Sequence, residues 1–293
     1  MKKFLFISLI SFSSVHPACA QFNRSFNEQV SFAKYLLKNN MPEDCISLLQ
    51  YEINIKNYSV EQKDTVYNLL GHAFLNDNHY DSSAYYFSAV RFSNRGGDEC
   101  KFLSAYSYAM INSYQNGIDC LHRVDTTDIK TKELKEFELS GMYLLQRDIS
   151  MFSRASKSFS YSYNDMNEQE RSIVKLDNDY KSIRHNSGLL AGMMSAVVPG
   201  LGKIYAGKTG QGISSFLPVA CMGLMAYESY KKAGVSSARF ILTTALFSVF
   251  YIGDIWGSVL SVSVSRNEKY NEINNQVLLN LRLPLQKFIG IYR

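Results

Sequence analysis

Apolar residues recur at helical spacing from residue 21 to about residue 186, and short polar breaks separate these stretches. Pro42 is the only proline in this part of the chain. Because apolar side chains that repeat every three or four residues form one face of a helix, we predict a series of packed helices here. After residue 186 the chain becomes apolar and glycine-rich up to Ser265. We therefore expect an all-α protein with two parts.

The helices of the first part repeat at a fixed interval. The small residues Ala33, Gly71, Ala105 and Gly141 stand 38, 34 and 36 residues apart. The clearest unit runs from residue 64 to about residue 94 and carries the set Tyr67, Leu70, Gly71, Phe74, Tyr80, Ser83, Phe87 and Val90. This set resembles the tetratricopeptide (TPR) repeat, without its consensus tryptophan and closing proline. The resemblance implies a short TPR-like α-solenoid of three or four hairpins over residues 21–165.

Such a solenoid would have a concave groove that is lined by the first helix of each hairpin. The groove positions carried over from the resemblance are Asn68, His72 and Asn76 in the second unit and Phe102, Tyr106 and Met110 in the third. An extended peptide of a protein partner would bind there. The alternative is that these residues are ordinary solvated or stacking residues of a spacer. The polar segment 166–186 is either a linker or the capping helix of the solenoid.

Three apolar segments follow, at 186–202, 209–227 and 240–265, and residues 187–265 are predicted to form a small helical membrane domain of two to three apolar helices. The first segment is shorter than the roughly 20 residues of a straight membrane crossing, so a re-entrant or tilted half-helix is one interpretation. Basic residues on every connector leave the topology open.

The third segment contains a single ionisable residue, Asp254. An acid in an apolar helix costs about 2.5 kcal/mol or more near the bilayer centre unless it faces a cavity or a partner, so a functional role is one hypothesis. The alternatives are a helix break at Gly253–Asp254 and an interfacial anchor beside Trp256. The candidate partners of this acid are Tyr205, Tyr227, Tyr251, Trp256, Lys203 and Lys208.

A run of turn-forming residues separates the first two apolar segments: Pro199, Gly200, Gly202, Tyr205, Gly207, Gly210 and Gly212. Proline stops a helix, and glycine permits left-handed backbone and close helix approach, so this run predicts a tight hairpin between membrane-embedded helices. Together with the later Asp254, it resembles the TM2 domain and bacterial membrane proteins that share the hairpin Pro-Gly-Leu-Gly-x-x-Tyr-x-Gly. In that family the hairpin joins two transmembrane helices. This chain differs by an additional apolar segment.

The two ends of the chain carry further signals. A basic start, an apolar run and the sequence Ala18-Cys19-Ala20 predict a secretory signal over residues 1–20, with lipidation of Cys19 as the alternative. We therefore expect an exported protein of the cell envelope with a periplasmic N-terminal domain. In the amphipathic tail 266–293, leucines alternate with other residues from 279 to 285. An amphipathic strand and a membrane-surface segment are the two interpretations.

Composition and motifs argue against several classes of function. The net charge of +5 comes without a cluster of lysine and arginine, which argues against nucleic-acid binding. The cysteines form no Cys-x-x-Cys pair, and Cys100 and Cys120 are either a disulfide across a helical hairpin or buried thiols. Neither the histidines nor the glycines form a recognised catalytic, phosphate-binding or dinucleotide-binding motif. We expect no enzyme activity, no cofactor and no metal.

These patterns lead to three hypotheses. The first is a non-enzymatic membrane-anchored envelope scaffold whose exported TPR-like solenoid binds a protein partner. The alternative is a small transport or membrane-insertion element that the solenoid regulates. In a third, the apolar segments fold as a soluble bundle. The fusion of solenoid and hairpin resembles uncharacterised bacterial envelope proteins, and this resemblance implies no activity.

Overall fold

The computed structural model describes residues 25–92, 95–163 and 166–289, and the predicted signal segment lies outside these ranges. All regular elements in the described ranges are helices, which confirms the all-α prediction for them. The α-helices are α1 (Phe26–Lys38), α2 (Pro42–Ile55), α3 (Val60–Asn76), α4 (Tyr80–Ala89), α5 (Arg95–Met110), α6 (Tyr114–His122), α7 (Ile129–Gln146), α8 (Ile149–Ala155), α9 (Asn167–Lys181), α10 (Gly188–Val197), α11 (Leu201–Tyr205), α12 (Thr209–Ala233) and α13 (Ala238–Ile289).

The same turn recurs four times in the first part of the chain. Asn40, Asn78, Asn112 and Arg147 all have a left-handed backbone, with φ between 56° and 67°. Each stands two residues before the next helix, so that it separates α1 from α2, α3 from α4, α5 from α6 and α7 from α8. Asparagine tolerates this conformation better than most residues, which explains three of the four positions. The recurring turn produces four helical hairpins at nearly the predicted interval.

Small residues allow the two helices of a hairpin to approach closely. A Cβ atom on Gly71 would lie 2.6 Å from the ring of Phe87, and the Ser83 hydroxyl donates to the carbonyl of Gly71 at 3.0 Å. Consecutive helices from α1 to α8 pack against one another. We call α1–α9 the helical array.

The last third of α13 belongs to the core of the helical array. Its buried side chains are Tyr270, Ile273, Val277, Leu281 and Leu285, and their spacing of three or four residues is one face of a helix. They pack into the main apolar cluster together with side chains of α5, α7 and α9. The strand interpretation of the tail is therefore wrong. Of the alternating leucines, Leu279 is 57 % exposed whereas Leu281 is fully buried.

The second part of the chain has an apolar surface. Among the described residues, α13 is the one helix that is long and apolar enough to cross a membrane, and α10 is a shorter apolar helix. The helix α12 covers the second predicted segment but does not reach the same hydropathy. Large apolar side chains point outward along this part, among them Leu189, Met193, Val197, Leu224, Leu242, Val249 and Trp256.

Candidate functional site

Asp254 lies at the meeting point of α10, α11 and α13. It is only 3 % exposed, and its two carboxylate oxygens have different partners. The Lys203 ammonium is 2.9 Å from Oδ1, and the backbone N–H of Gly200 donates to Oδ2 at 2.6 Å. Lys203 was among its predicted partners, and this contact is confirmed. We call Asp254, Lys203 and the Gly200 N–H the Asp254 site.

Glycines are required where the hairpin meets its neighbours. Gly200 has a φ of 82°, and a Cβ atom there would lie 2.1 Å from the carbonyl oxygen of Gly212. A Cβ on Gly202 would lie 2.0 Å from the carbonyl oxygen of Ala191. Gly207 also has a left-handed backbone, with a φ of 85°. By contrast, nothing lies within 4 Å of the same position on Gly210. The packing therefore requires glycine at positions such as 200 and 202, but it does not require glycine at position 210.

Serine hydroxyls that sequence reasoning missed extend the polar contacts. Ser195 in α10 and Ser258 in α13 are both fully buried, and their hydroxyl oxygens are 2.7 Å apart. The Ser195 hydroxyl also accepts from the backbone N–H of Gly202 at 3.0 Å. Ser258 follows Asp254 by one helical turn, so both side chains face α10. The sequence offers no local signal for this pair, because the two serines are 63 residues apart.

The remaining residues of the motif lie within the α10–α11 hairpin, whose two ends are close together. Pro199 comes directly after Val198, the C-cap residue of α10, as expected for a proline beyond a helix end. Tyr205 does not contact Asp254 and instead accepts at its carbonyl oxygen from the Asn186 side chain at 2.8 Å. Tyr251 donates from its hydroxyl to the carbonyl of Ala196. The predicted helix break at residues 253–254 is wrong, because α13 is continuous there.

A cavity between α12 and α13 borders the Asp254 site. Its polar lining comes from Lys203, Gln211, Ser214, Ser215 and Asp254. Pro218 also lines it, and proline within a helix leaves the carbonyl of the residue four positions earlier without its usual partner. The cavity can accommodate water or a small polar group beside an ion pair whose charges compensate each other.

Two of the three predicted groove residues of α5, Phe102 and Tyr106, are covered by α13. Phe102 is fully buried, and its ring lies 5.7 Å from the ring of Phe288. Tyr106 is 5 % exposed, and Arg282 of α13 lies beside it. Burial raises the pKa of Tyr106 to about 12. Met110 is half-buried against the main core. Phe102 and Tyr106 therefore contact the chain's own helix α13.

The predicted groove residues of α3 lie near an opening beside the end of α13. Asn76 is exposed, whereas Asn68 and His72 are half-buried. The His72 ring packs edge-on against Phe87, and burial lowers its pKa to about 4, so it is neutral at physiological pH. The opening is lined by Leu37, His72, Leu75, Asn76, Tyr80, Leu103, Tyr106, Arg282, Leu285, Gln286 and Ile289.

One buried acid was not predicted. Glu138 in α7 is fully buried, and neither of its carboxylate oxygens has a hydrogen-bond partner among the described residues. Burial raises the pKa of Glu138 well above its ordinary value, because an unpaired carboxylate is strongly disfavoured away from water. Glu138 lies near Tyr106 and so belongs to the region that α13 covers.

The structure offers little for metal or thiol chemistry. In the described ranges, no three histidine, cysteine or acidic side chains are grouped to hold a metal ion. Cys100 and Cys120 are buried free thiols, so they do not form the disulfide considered from the sequence. Burial raises the pKa of Cys100 to about 12, which keeps this thiol protonated.

No family model, curated protein or solved structure matches this chain. The function must therefore be inferred from the two features above. One is the polar Asp254 site within an apolar helical unit. The other is the helical array, against which the last third of α13 packs.

Proposed function

We propose that this protein is a non-enzymatic, membrane-anchored scaffold of the cell envelope. The observation that carries the proposal is the continuity of α13. Its first part exposes apolar side chains such as Leu242 and Val249, and its last part is buried in the helical array. An apolar surface of this extent is unfavourable in water and suits a lipid bilayer. One rigid helix thus links the bilayer to the array.

The array is a TPR-like solenoid that binds a protein partner. The four turns at Asn40, Asn78, Asn112 and Arg147 support this assignment, as does the contact of Gly71 with Phe87. Since α13 covers two of the three α5 positions, the partner binds beside α3, where Asn76 is exposed at the opening. A photo-crosslinking residue at Asn76 should capture the partner, whereas one at the exposed Glu43 of α2 should not.

The first experiment is fractionation of the mature protein from its own cells, followed by carbonate and detergent extraction of the membranes. An embedded protein should remain with the membrane in carbonate and require detergent. Release by carbonate would mean that the apolar surface of α10–α13 packs against other protein, and the anchor would be refuted. It would also favour the soluble bundle.

A transport or membrane-insertion element that the solenoid regulates is the second candidate. The observation that favours it is the cavity beside Asp254, whose lining includes the polar side chains of Gln211, Ser214 and Ser215. Asp254→Asn in the full-length protein separates the two functions, because it removes the charge but retains an acceptor for the Gly200 N–H. Loss of function in cells with partner crosslinking unchanged would favour transport. Unchanged function would leave the scaffold as the better account.

A further inference from the structure

We call α10, α11, α12 and the part of α13 up to residue 265 the apolar unit. The chain enters and leaves this unit on the same side. The chain enters α10 directly after α9 of the helical array. It leaves along α13, whose residues Tyr270, Val277 and Leu285 are buried in that same array. A chain that starts and ends on one side of a bilayer crosses it an even number of times. Three crossings, one for each apolar segment of the sequence, are therefore incompatible with this packing.

The hairpin formed by α10 and α11 starts and ends on the same side of the apolar unit. Asn186, just before α10, donates from its side chain to the carbonyl of Tyr205 at the end of α11, at 2.8 Å. Between them the chain turns at Gly200, which meets Asp254. The ten residues of α10 are about 15 Å long, half of a typical hydrocarbon core. This hairpin therefore enters the apolar layer and returns.

The helices α12 and α13 run antiparallel along their whole apolar length. Near the array, Lys208 pairs with Glu268 at 2.8 Å. At the other end the rings of Tyr230 and Phe240 are 5.8 Å apart, just before and after the turn at 234–237. The 25 residues of α12 are about 37 Å long, which is enough to cross a bilayer. If α13 crosses, α12 must cross beside it, although its hydropathy alone does not indicate this.

We infer that the apolar unit fits a lipid bilayer in one arrangement, with α12 and α13 as the two crossings and α10–α11 as a re-entrant hairpin on the side of the array. The turn at 234–237 lies on the opposite face. Asp254 lies about 16 Å along α13 from residue 265 and about 24 Å from residue 238, so the Asp254 site is near the middle of the bilayer. The inference rests on the membrane anchor proposed above. With the array exported, the turn faces the cytoplasm.

The arrangement is tested by cysteine labelling with a membrane-impermeant maleimide, in intact spheroplasts and in inverted membrane vesicles. The full-length chain first receives Cys221→Ala, because Cys221 is the exposed native thiol, whereas Cys45, Cys100 and Cys120 are buried. Three exposed positions then receive single cysteines: Ser88→Cys in the array, Thr209→Cys after the hairpin and Ser236→Cys in the turn.

We expect Ser88→Cys and Thr209→Cys to be labelled in spheroplasts and Ser236→Cys in inverted vesicles. Labelling of Ser88→Cys and Ser236→Cys from the same side would overturn the two crossings. Labelling of Thr209→Cys from the side opposite Ser88→Cys would overturn the re-entrant hairpin. If all three labels change sides together, the arrangement stands and the exported orientation is refuted. Carbonate release, by contrast, would refute the anchor itself, so the two failures are distinguishable.

Discussion

The last third of α13 and the middle of the same helix contact their neighbours through different kinds of side chain. Around Leu281 the contact is apolar, and a Cβ on Gly141 would lie 2.3 Å from the leucine side chain. Around Asp254 the contact is polar, because a carboxylate meets an ammonium and a backbone N–H. A pair of serine hydroxyls lies one turn further along.

The surroundings explain the difference. Where water is the alternative, burial of apolar surface stabilises by about 25 cal/mol per Å², so leucines suffice to hold the helix. In the lipid bilayer proposed above, a further apolar contact between helices gains little, whereas facing polar groups are costly to separate. One continuous helix is therefore held by apolar burial at one end and by polar contacts in its middle.

The largest effect is expected from Asp254→Ala. The change leaves the half-buried Lys203 without its counter-charge, and breaking a buried ion pair costs about 3–5 kcal/mol, which is an upper range for a pair of which only Asp254 is fully buried. Thermal unfolding of the purified protein in detergent measures it. Glu228→Ala is the control, because its pair with Lys232 is exposed and such pairs contribute little to stability.

The double variant Asp254→Leu with Lys203→Met sharpens this result. It removes both charges together and should be more stable than Asp254→Ala, since the cost comes from the uncompensated charge. A double variant that is as unstable as the single one would mean that the Gly200 N–H contact, and not the ion pair, holds the hairpin.

The next effect is expected from Leu281→Ala. It leaves a cavity between α13 and α7, and changes of this kind cost about 2–5 kcal/mol. Leu279→Ala on the same helix is the matched control, since Leu279 is largely exposed. Denaturant unfolding monitored by tyrosine fluorescence of the array compares the two. An equal loss of unfolding free energy in Leu281→Ala and Leu279→Ala would contradict the burial of Leu281 against the array.

A smaller effect is expected from Gly202→Ala. The new methyl group would meet the carbonyl of Ala191, and overpacking costs about 1–3 kcal/mol. Gly210→Ala is the matched control within the same motif, because the space around it is open and alanine favours a helix. The unfolding temperature of Gly202→Ala should be lower than that of the native protein. The unfolding temperature of Gly210→Ala should be equal to that of the native protein or higher. The reverse ranking would contradict the close approach of α10 and α11.

The smallest effect is expected from Glu138→Gln, and it depends on pH. Burial raises the pKa of Glu138 above its ordinary value of 4.5, so the folded protein holds a proton that the unfolded chain releases. Native stability therefore falls as the pH rises from 4.5 towards the folded pKa, and the glutamine variant lacks this loss. We expect a gain of about 1 kcal/mol at neutral pH and less near pH 4.

Thermal unfolding across this pH range tests the prediction for Glu138. A gain of the same size at every pH would mean that packing of the amide, and not the proton, is responsible. A loss of stability at neutral pH would mean that the buried carboxyl has a favourable partner in the folded protein.

The local sequence predicts the helices of the first part well, but it predicts the secondary structure of the tail poorly. The repeat interval could be predicted because Gly71 and Ser83 act on residues a few turns away. The tail was misread because four leucines between residues 279 and 285 suggested a period of two. Tyr270, Ile273 and Val277 extend the buried face upstream at helical spacing, and they show the period that the short window concealed.

The candidate site was predicted in part. Asp254 stood out because an acid is unusual in an apolar segment, and Gly200 and Gly202 stood out because they belong to a run of turn-forming residues. Ser195 and Ser258 did not, because single serines are common in such segments and nothing local indicates that two of them meet. The groove positions Phe102 and Tyr106 were expected to face a partner, yet α13 covers them.

By itself, the sequence determined the helices, the turns and the apolar character of the second part. These depend on backbone preferences and on side chains within a few turns of one another. Only the tertiary structure decided that Lys203 meets Asp254 across 51 residues and that Leu281 fills the space beside Gly141. The reason is physical: a helix has several faces, and which face is buried depends on surfaces that distant parts of the chain supply.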